Sequence, residues 1–321
     1  MAKKKAKKAK AKNEELEKED QQREREFVRM ARPLDGKIIG ISISEADDIE
    51  HYGYRGWDVN RVTVRLSEAL LNAGAHLVFG HDWRPDGLMT AICGMAIKSH
   101  SIGDGEAPPL IQNFLAHPDK TNMSTELKRD LRQRDLVRIR TIDPPKVNGG
   151  LDPELERALA LSHMRFVMNS AIDARICIGG KRLNDQTAIP AGFFSGVAEE
   201  AYWAAKTGKP LLVAGFLGGV TAELIRSTGE KGKLASDDRG FESLAVVEQK
   251  KELHQRACEM LKTRKYKKFE LPPADLKPTF DAKVLGVATK GLWDKGCQAV
   301  DVDSFAAIVR QLKFSKQGNS K

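Results

Sequence analysis

From Lys37 to Val220 the chain alternates short apolar runs, each ended by polar residues or glycine, with longer stretches of helical periodicity. Lys37-Ile-Ile-Gly-Ile-Ser-Ile-Ser44, His76-Leu-Val-Phe-Gly80, Leu136-Val-Arg-Ile-Arg-Thr-Ile142, Ala174-Arg-Ile-Cys-Ile178 and Leu211-Leu-Val-Ala-Gly215 read as strands. β-Branched residues crowd them, and Gly or Pro punctuates their ends. Val62, Leu66, Ala69, Leu70 and Ala73 fall on one face of a helix capped by Asp58 and stopped by Gly74. Residues 86–97 read as a second helix. Asp152-Pro153 opens a third, an N-cap followed by proline at the first helical position, which runs to Asn169. Gly192-Phe-Phe-Ser-Gly196 leads into a fourth, which Gly208-Lys-Pro210 stops, and Gly218-Gly219 opens a fifth. Leu110 to Leu115 is too short to assign. Beyond Ile225 the pattern predicts a charged loop, a long helix over 240–262, the basic stretch Lys262 to Lys268, a proline-rich loop at 272–278 and a closing helix from Asp303 to Leu312.

Strands alternating with helices through right-handed crossovers imply an α/β, Rossmann-like fold: a mainly parallel sheet with helices on both faces. We expect a single domain over 33–321, preceded by a basic, disordered tail and a charged helix over 1–32. The conventional dinucleotide fingerprint is absent. Read from Gly40, its second and third glycines are replaced by Ser42 and Glu45.

The net charge of +9 changes little once it is located. Seven lysines and no acids occupy residues 1–12, so the rest of the chain is nearly neutral. Such a tail makes weak, salt-sensitive contact with polyanions and reads no sequence. Cys93, Cys177, Cys258 and Cys297 are scattered without a C-x-x-C pair, which argues against a disulfide framework or structural zinc. No apolar run approaches the roughly 20 residues that span a bilayer. The expectation is a cytoplasmic protein with no membrane partner and no metal or cofactor; a homo-oligomer is left open.

The glycine-rich turns carry the candidate chemistry. Turns at the carboxyl ends of parallel strands are where open α/β sheets bind nucleotides, and glycine lets backbone N–H groups come close. The candidate ligand-binding residues are Ser42, Ser44 and Glu45 after the first strand, Gly80 and Asp82 after the second, and Gly179, Gly180, Ser195, Gly196, Gly218 and Gly219. Within Val197-Ala-Glu-Glu-Ala201, a helical wheel sets Glu200 beside the apolar face of Val197, Ala201 and Ala204. Glu199 points away from that face and reads as structural. Glu200 is either an acid/base or oxocarbenium-stabilising group, or an acid compensating the helix dipole. Arg165, among Met164, Phe166 and Met168, either holds a phosphate or snorkels to the surface. Arg175, inside its strand, implies a buried ion pair or a sheet-edge position.

Taken together these residues resemble the SLOG superfamily, the Rossmann-like group named for its DNA-processing and Lonely Guy members, over about 33–315. The carriers are Ile39 to Glu45, Leu77-Val-Phe-Gly80 with Arg84-Pro-Asp-Gly87, Met164-Arg165, Ala174-Arg175 with Gly179-Gly180, Ser195 to Glu200, and Phe216-Leu-Gly-Gly219. Lonely Guy enzymes cleave the N-glycosidic bond of nucleoside monophosphates with a P-G-G-x-G-T-x-x-E motif. Gly196-Val-Ala-Glu-Glu200 is similar to its end, which implies the functional glutamate at Glu200 and a catalytic partner at Arg165. Gly192 stands where the motif has proline, Phe193 and Phe194 where it has paired glycines, and Val197 where it has threonine. Other SLOG members sense nucleotide-derived signals, often in bacterial conflict systems. The resemblance therefore implies binding of an ADP-ribose- or NAD-like ligand by a sensor, or alternatively an N-glycoside hydrolase acting on a nucleotide or NAD.

Overall fold

Six parallel strands form one sheet in the order β4-β3-β2-β1-β5-β6: β1 Ile38–Ser44, β2 His76–Gly80, β3 Ile111–Ala116, β4 Val137–Ile142, β5 Ala174–Gly179 and β6 Leu211–Ala214. The structure is a computed structural model. It describes residues 32–80, 88–99, 110–119, 136–146, 151–182, 191–228, 243–262, 269–280 and 291–314, with a few single positions between them. The lysine-rich tail and Asp82 lie outside the described residues. The described helices are α1 Gly56–Asn72, α2 Leu88–Ser99, α3 Pro153–Ser170, α4 Gly196–Lys206, α5 Gly219–Ser227, α6 Lys251–Lys262, α7 Trp293–Cys297 and α8 Val302–Val309. Among the described residues, no helix is long and apolar enough to cross a membrane.

Period-two alternation divides each strand between two cores. Ile39 and Ile41 of β1, Leu77 and Phe79 of β2, and Ile176 and Ile178 of β5 pack with Leu66 and Leu70 of α1 and Phe305 and Val309 of α8. On the opposite face Cys177, Leu211 and Val213 pack with Val197, Ala201 and Ala204 of α4, while Val78 and Phe114 pack with Met164 and Met168 of α3. That second face also receives Gly40 and Ser42 of β1 and Arg175 of β5. It is the face that carries the site.

Two sequence expectations are corrected and one unassigned segment is placed. Most of the Leu110–Leu115 segment belongs to β3, Ile111–Ala116, which is buried at every position. Its alternation was hidden by Gln112 and Asn113, polar groups that are nonetheless buried; Asn113 Nδ2 donates to the Phe79 carbonyl at 3.4 Å. Helix α1 starts at Gly56, with Asp58 in its first turn rather than at its cap; Asp58 Oδ2 accepts from the Arg55 N–H at 2.9 Å. The long helix of 240–262 is shorter. Residues 243–247 instead run beside 274–276, with Val246 N–H on the Ala274 carbonyl and Leu276 N–H on that of Leu244, and α6 begins at Lys251. Leu244 and Val246 are buried there.

Candidate functional site

β1 and β5 are neighbours in the sheet, yet the chain leaves β1 toward β2 on one side and β5 toward β6 on the other. At such a switch point the connections diverge and leave a crevice above the strand ends. Here Ser42 stands beside Cys177 and Ser44 beside Gly179. The start of α4 and the middle of α3 close over them. They enclose a cleft of about 220 Å³ lined by Ile41, Ser42, Ile43, Ser44, Phe79, Gly80, Met89, Leu161, Met164, Arg165, Gly196, Val197 and Glu200.

Glu200 is the acidic group in that wall. Its Oε2 accepts hydrogen bonds from Ser42 Oγ and from Arg175 Nη1, the latter at 3.0 Å, and the same Nη1 reaches Ser42 Oγ at 3.1 Å. Oε1 lies 4.0 Å from Arg165 Nε and 3.2 Å from where a Cβ on Gly80 would stand. One carboxylate oxygen is anchored beneath the cleft, and the other is presented toward it. Of the two sequence alternatives for Arg175, the buried ion pair is the one observed. The side chain is 0% exposed, on a strand flanked by β1 and β6 rather than at the sheet edge. It crosses β1 where Gly40 leaves room: a Cβ there would stand 2.9 Å from Arg175 Cζ. Glycine inside a strand commonly marks such a close approach. Sequence reasoning found Arg175 odd and Gly40 only as part of a failed fingerprint. Their pairing on one face, one residue on each of two adjacent strands, was the signal it missed.

Glu199, read as structural from the wheel, has a specific partner. Glu199 is 0% exposed, and its Oε2 lies 2.5 Å from Arg165 Nη1. The direction away from the strands is not solvent. Every residue of α4 from Val197 to Ala205 is buried, because α3 and the 269–280 segment pack against it. A helix apolar all round is a buried helix, and Ala-Tyr-Trp-Ala-Ala was that signal. Arg165 is accordingly neither a surface arginine nor a free one.

Phe193 and Phe194 are fully buried and meet the ring of His254 edge-on at 5.3 and 5.7 Å. Burial holds His254 below its usual range, against the raising effects of the Pro272 carbonyl and Glu199. Ser195 Oγ donates to the Lys181 carbonyl at 3.0 Å rather than capping α4. Burial pushes the thiol of Cys177, beside Ser42, up to about 12.

Of the other predicted residues, Glu45 and four turn glycines are not brought to the cleft wall. Gly179, Gly180, Gly218 and Gly219 form a junction between two turns. Val220 N–H bonds to the Gly180 carbonyl at 3.0 Å, and Gly219 N–H to Asp48 Oδ1 at 2.8 Å. With φ of 63°, a side chain at Gly219 would also begin 2.0 Å from the Gly180 oxygen. A Gly219 substitution therefore breaks the junction itself and cannot report on ligand contact. Glu45 is exposed and abuts Gly56 at the start of α1. Ser44, Gly80 and Gly196 do line the cleft.

Asp48 and Glu223 are buried acids that the sequence reading did not single out. Arg182 pairs with Asp47 and Asp48 beside the junction. Burial pushes the Glu223 carboxyl up to about 7, opposed by Arg182, by hydrogen bonds from Ser243 and by Arg226.

The fold and the cleft define a Rossmann-like α/β protein with an acid-bearing pocket at its switch point. The chain belongs to the SLOG cluster 2 family, whose sequence profile matches residues 33–270. A comparison with curated proteins finds no match. The family points to nucleotide-related binding or glycosidase activity.

Proposed function

We propose that the protein binds the ribosyl part of a nucleotide-derived ligand, of the ADP-ribose or NAD kind, in the β1–β5 cleft, and acts as a sensor of it. By analogy within the family the setting is a bacterial conflict system. The observation that carries this reading is Glu200, whose Oε2 is tied down by Arg175 and Ser42 while Oε1 is turned to an otherwise mostly apolar cleft. A carboxylate oxygen accepts well from paired sugar hydroxyls, and the apolar walls suit the faces of a sugar and base. Ser44 adds a hydroxyl at the same edge.

The same geometry favours a second reading, hydrolysis of an N-glycosidic bond. A carboxylate held beside C1′ would stabilise the positive charge that grows on the sugar as the C1′–N bond breaks. Water then adds its oxygen to C1′. Glu200 Oε1 receives the water proton and passes it on to the departing base, so no oxidant or metal is required.

The test is calorimetric titration with adenosine, AMP, ADP-ribose and NAD, with chromatography of released base in parallel. Saturable binding without base release supports the sensor, and base release supports the hydrolase. Glu200→Gln is expected to abolish any base release and to weaken binding by about tenfold, the loss of one charge-assisted hydrogen bond. It also leaves Arg175 without its anion, so melting is followed alongside. Unchanged affinity in a folded Glu200→Gln protein would remove the ligand from this cleft.

A further inference from the structure

We infer that Glu199 is a positioning residue: it fixes the Arg165 guanidinium so that its Nε–H and Glu200 Oε1 together take one hydroxyl of the ligand's ribose. This rests on the functional reading above and adds the group that the polar side of the cleft recognises.

Arg165 enters the cleft wall from α3, and its side chain is 10% exposed. Nη1 donates to Glu199 Oε2 at 2.5 Å, and Glu199 is fully buried, so that carboxylate cannot swing into water. Two glycines leave the slot in which the guanidinium lies. A Cβ on Gly192 would stand 3.2 Å from Nη1, and one on Gly196 would stand 3.1 Å from Nη2. Gripped at one end and flanked by both glycines, the plane is held in one orientation. That orientation leaves Nε buried without a hydrogen-bond partner among the described residues. A buried, unpaired N–H on a cation is costly, and it calls for an acceptor brought by the ligand.

Glu200 Oε1 lies 4.0 Å from that Nε. The gap is too long for a direct hydrogen bond, yet one oxygen can stand at about 2.9 Å from both ends. The group that fits must accept from Nε and donate to a carboxylate at once. A hydroxyl does both. A phosphate or carbonyl oxygen in that place would be repelled by Glu200, and an ammonium would meet the N–H of Arg165 with no lone pair to offer. In a nucleotide-derived ligand the ribose supplies such a hydroxyl. The two consecutive glutamates of α4 thus act in sequence: Glu199 holds the donor in place, and Glu200 is the acceptor beside it.

The experiment titrates the full-length protein with AMP and ADP-ribose, and with the forms of each that lack a single ribose hydroxyl. One deoxy form is expected to bind about tenfold more weakly than its parent, having lost the bridging group. Arg165→Lys keeps a cation for Glu199 and removes Nε–H. It is expected to weaken the parent about tenfold and to leave that deoxy form unchanged, a pattern that a merely structural ion pair would not produce. Glu199→Gln should give the same selective loss. Glu199→Gln, Arg165→Lys together should lose no more than Arg165→Lys alone, because Glu199 acts through Arg165. Full affinity for the parent in a folded Glu199→Gln protein, or in Arg165→Lys, overturns this inference while leaving the ribosyl-binding reading intact. Equal binding of a parent and all its deoxy forms overturns it as well. Failure of both AMP and ADP-ribose to bind overturns that reading and this one together. Where Glu199→Gln does not fold, Arg165→Lys, which retains the ion pair, decides the matter.

Discussion

Arg175→Met is expected to destabilise the protein by about 3–5 kcal/mol, the usual consequence of stripping one partner from a buried ion pair. The guanidinium is fully buried, and it is one of two donors to Glu200 Oε2. Methionine fills similar space but leaves Glu200 with Ser42 alone beneath the cleft. The double variant Arg175→Met, Glu200→Gln should be more stable than the sum of the two single losses, because neither charge is then left alone. Denaturant unfolding of the four proteins in the cycle measures this. Strictly additive losses would mean that the two side chains do not act on one another. Gly40→Ala should act in the same direction, since its Cβ intrudes on Arg175 Cζ at 2.9 Å.

Glu223→Gln is expected to change how stability depends on pH. The carboxyl is raised from 4.5 in the unfolded chain to about 7 in the folded one, chiefly by burial. Between those values the native state holds a proton that the unfolded state has released. The stabilising contribution is therefore complete below pH 4.5 and is lost as pH rises through about 7. A shift of this size corresponds to about 3 kcal/mol, good to order of magnitude. Glutamine keeps an acceptor for Ser243 and cannot ionise. The variant should gain on wild type by that amount as pH rises across the window, read as the difference between their melting curves. Parallel curves would show that folding leaves the Glu223 carboxyl at its unfolded pKa.

Much of the framework was legible because it is local. The alternating patterns of Lys37–Ser44, His76–Gly80, Leu136–Ile142 and Ala174–Ile178 placed four strands, and Asp152-Pro153 placed the start of α3, where Asp152 Oδ1 accepts from Leu155 N–H at 2.8 Å. Where polar residues were buried inside an element, as at Gln112 and Asn113, the pattern was silent. Where a segment had two local options, as at 243–247, the packing of Leu244 and Val246 decided.

The candidate site divides along the same line. The phase of α4 relative to the strands set Glu200 toward the cleft, and a helical period of 3.6 residues is all that required. What packs on the far side of α4 is a long-range fact, and it makes Glu199 the buried partner of Arg165. Likewise Gly218 and Gly219 announced a tight turn, but only the approach of Asp48 and Gly180 showed which groups fill it.

The sequence by itself thus determined the α/β architecture, the order of its main elements and the residue that faces the crevice, because periodicity and turn chemistry act over a few residues. The tertiary structure alone decided which charges neutralise one another. Burial and ion pairing depend on what lies across the fold, and Arg165, Arg175, Glu199 and Glu200 meet only where three elements converge.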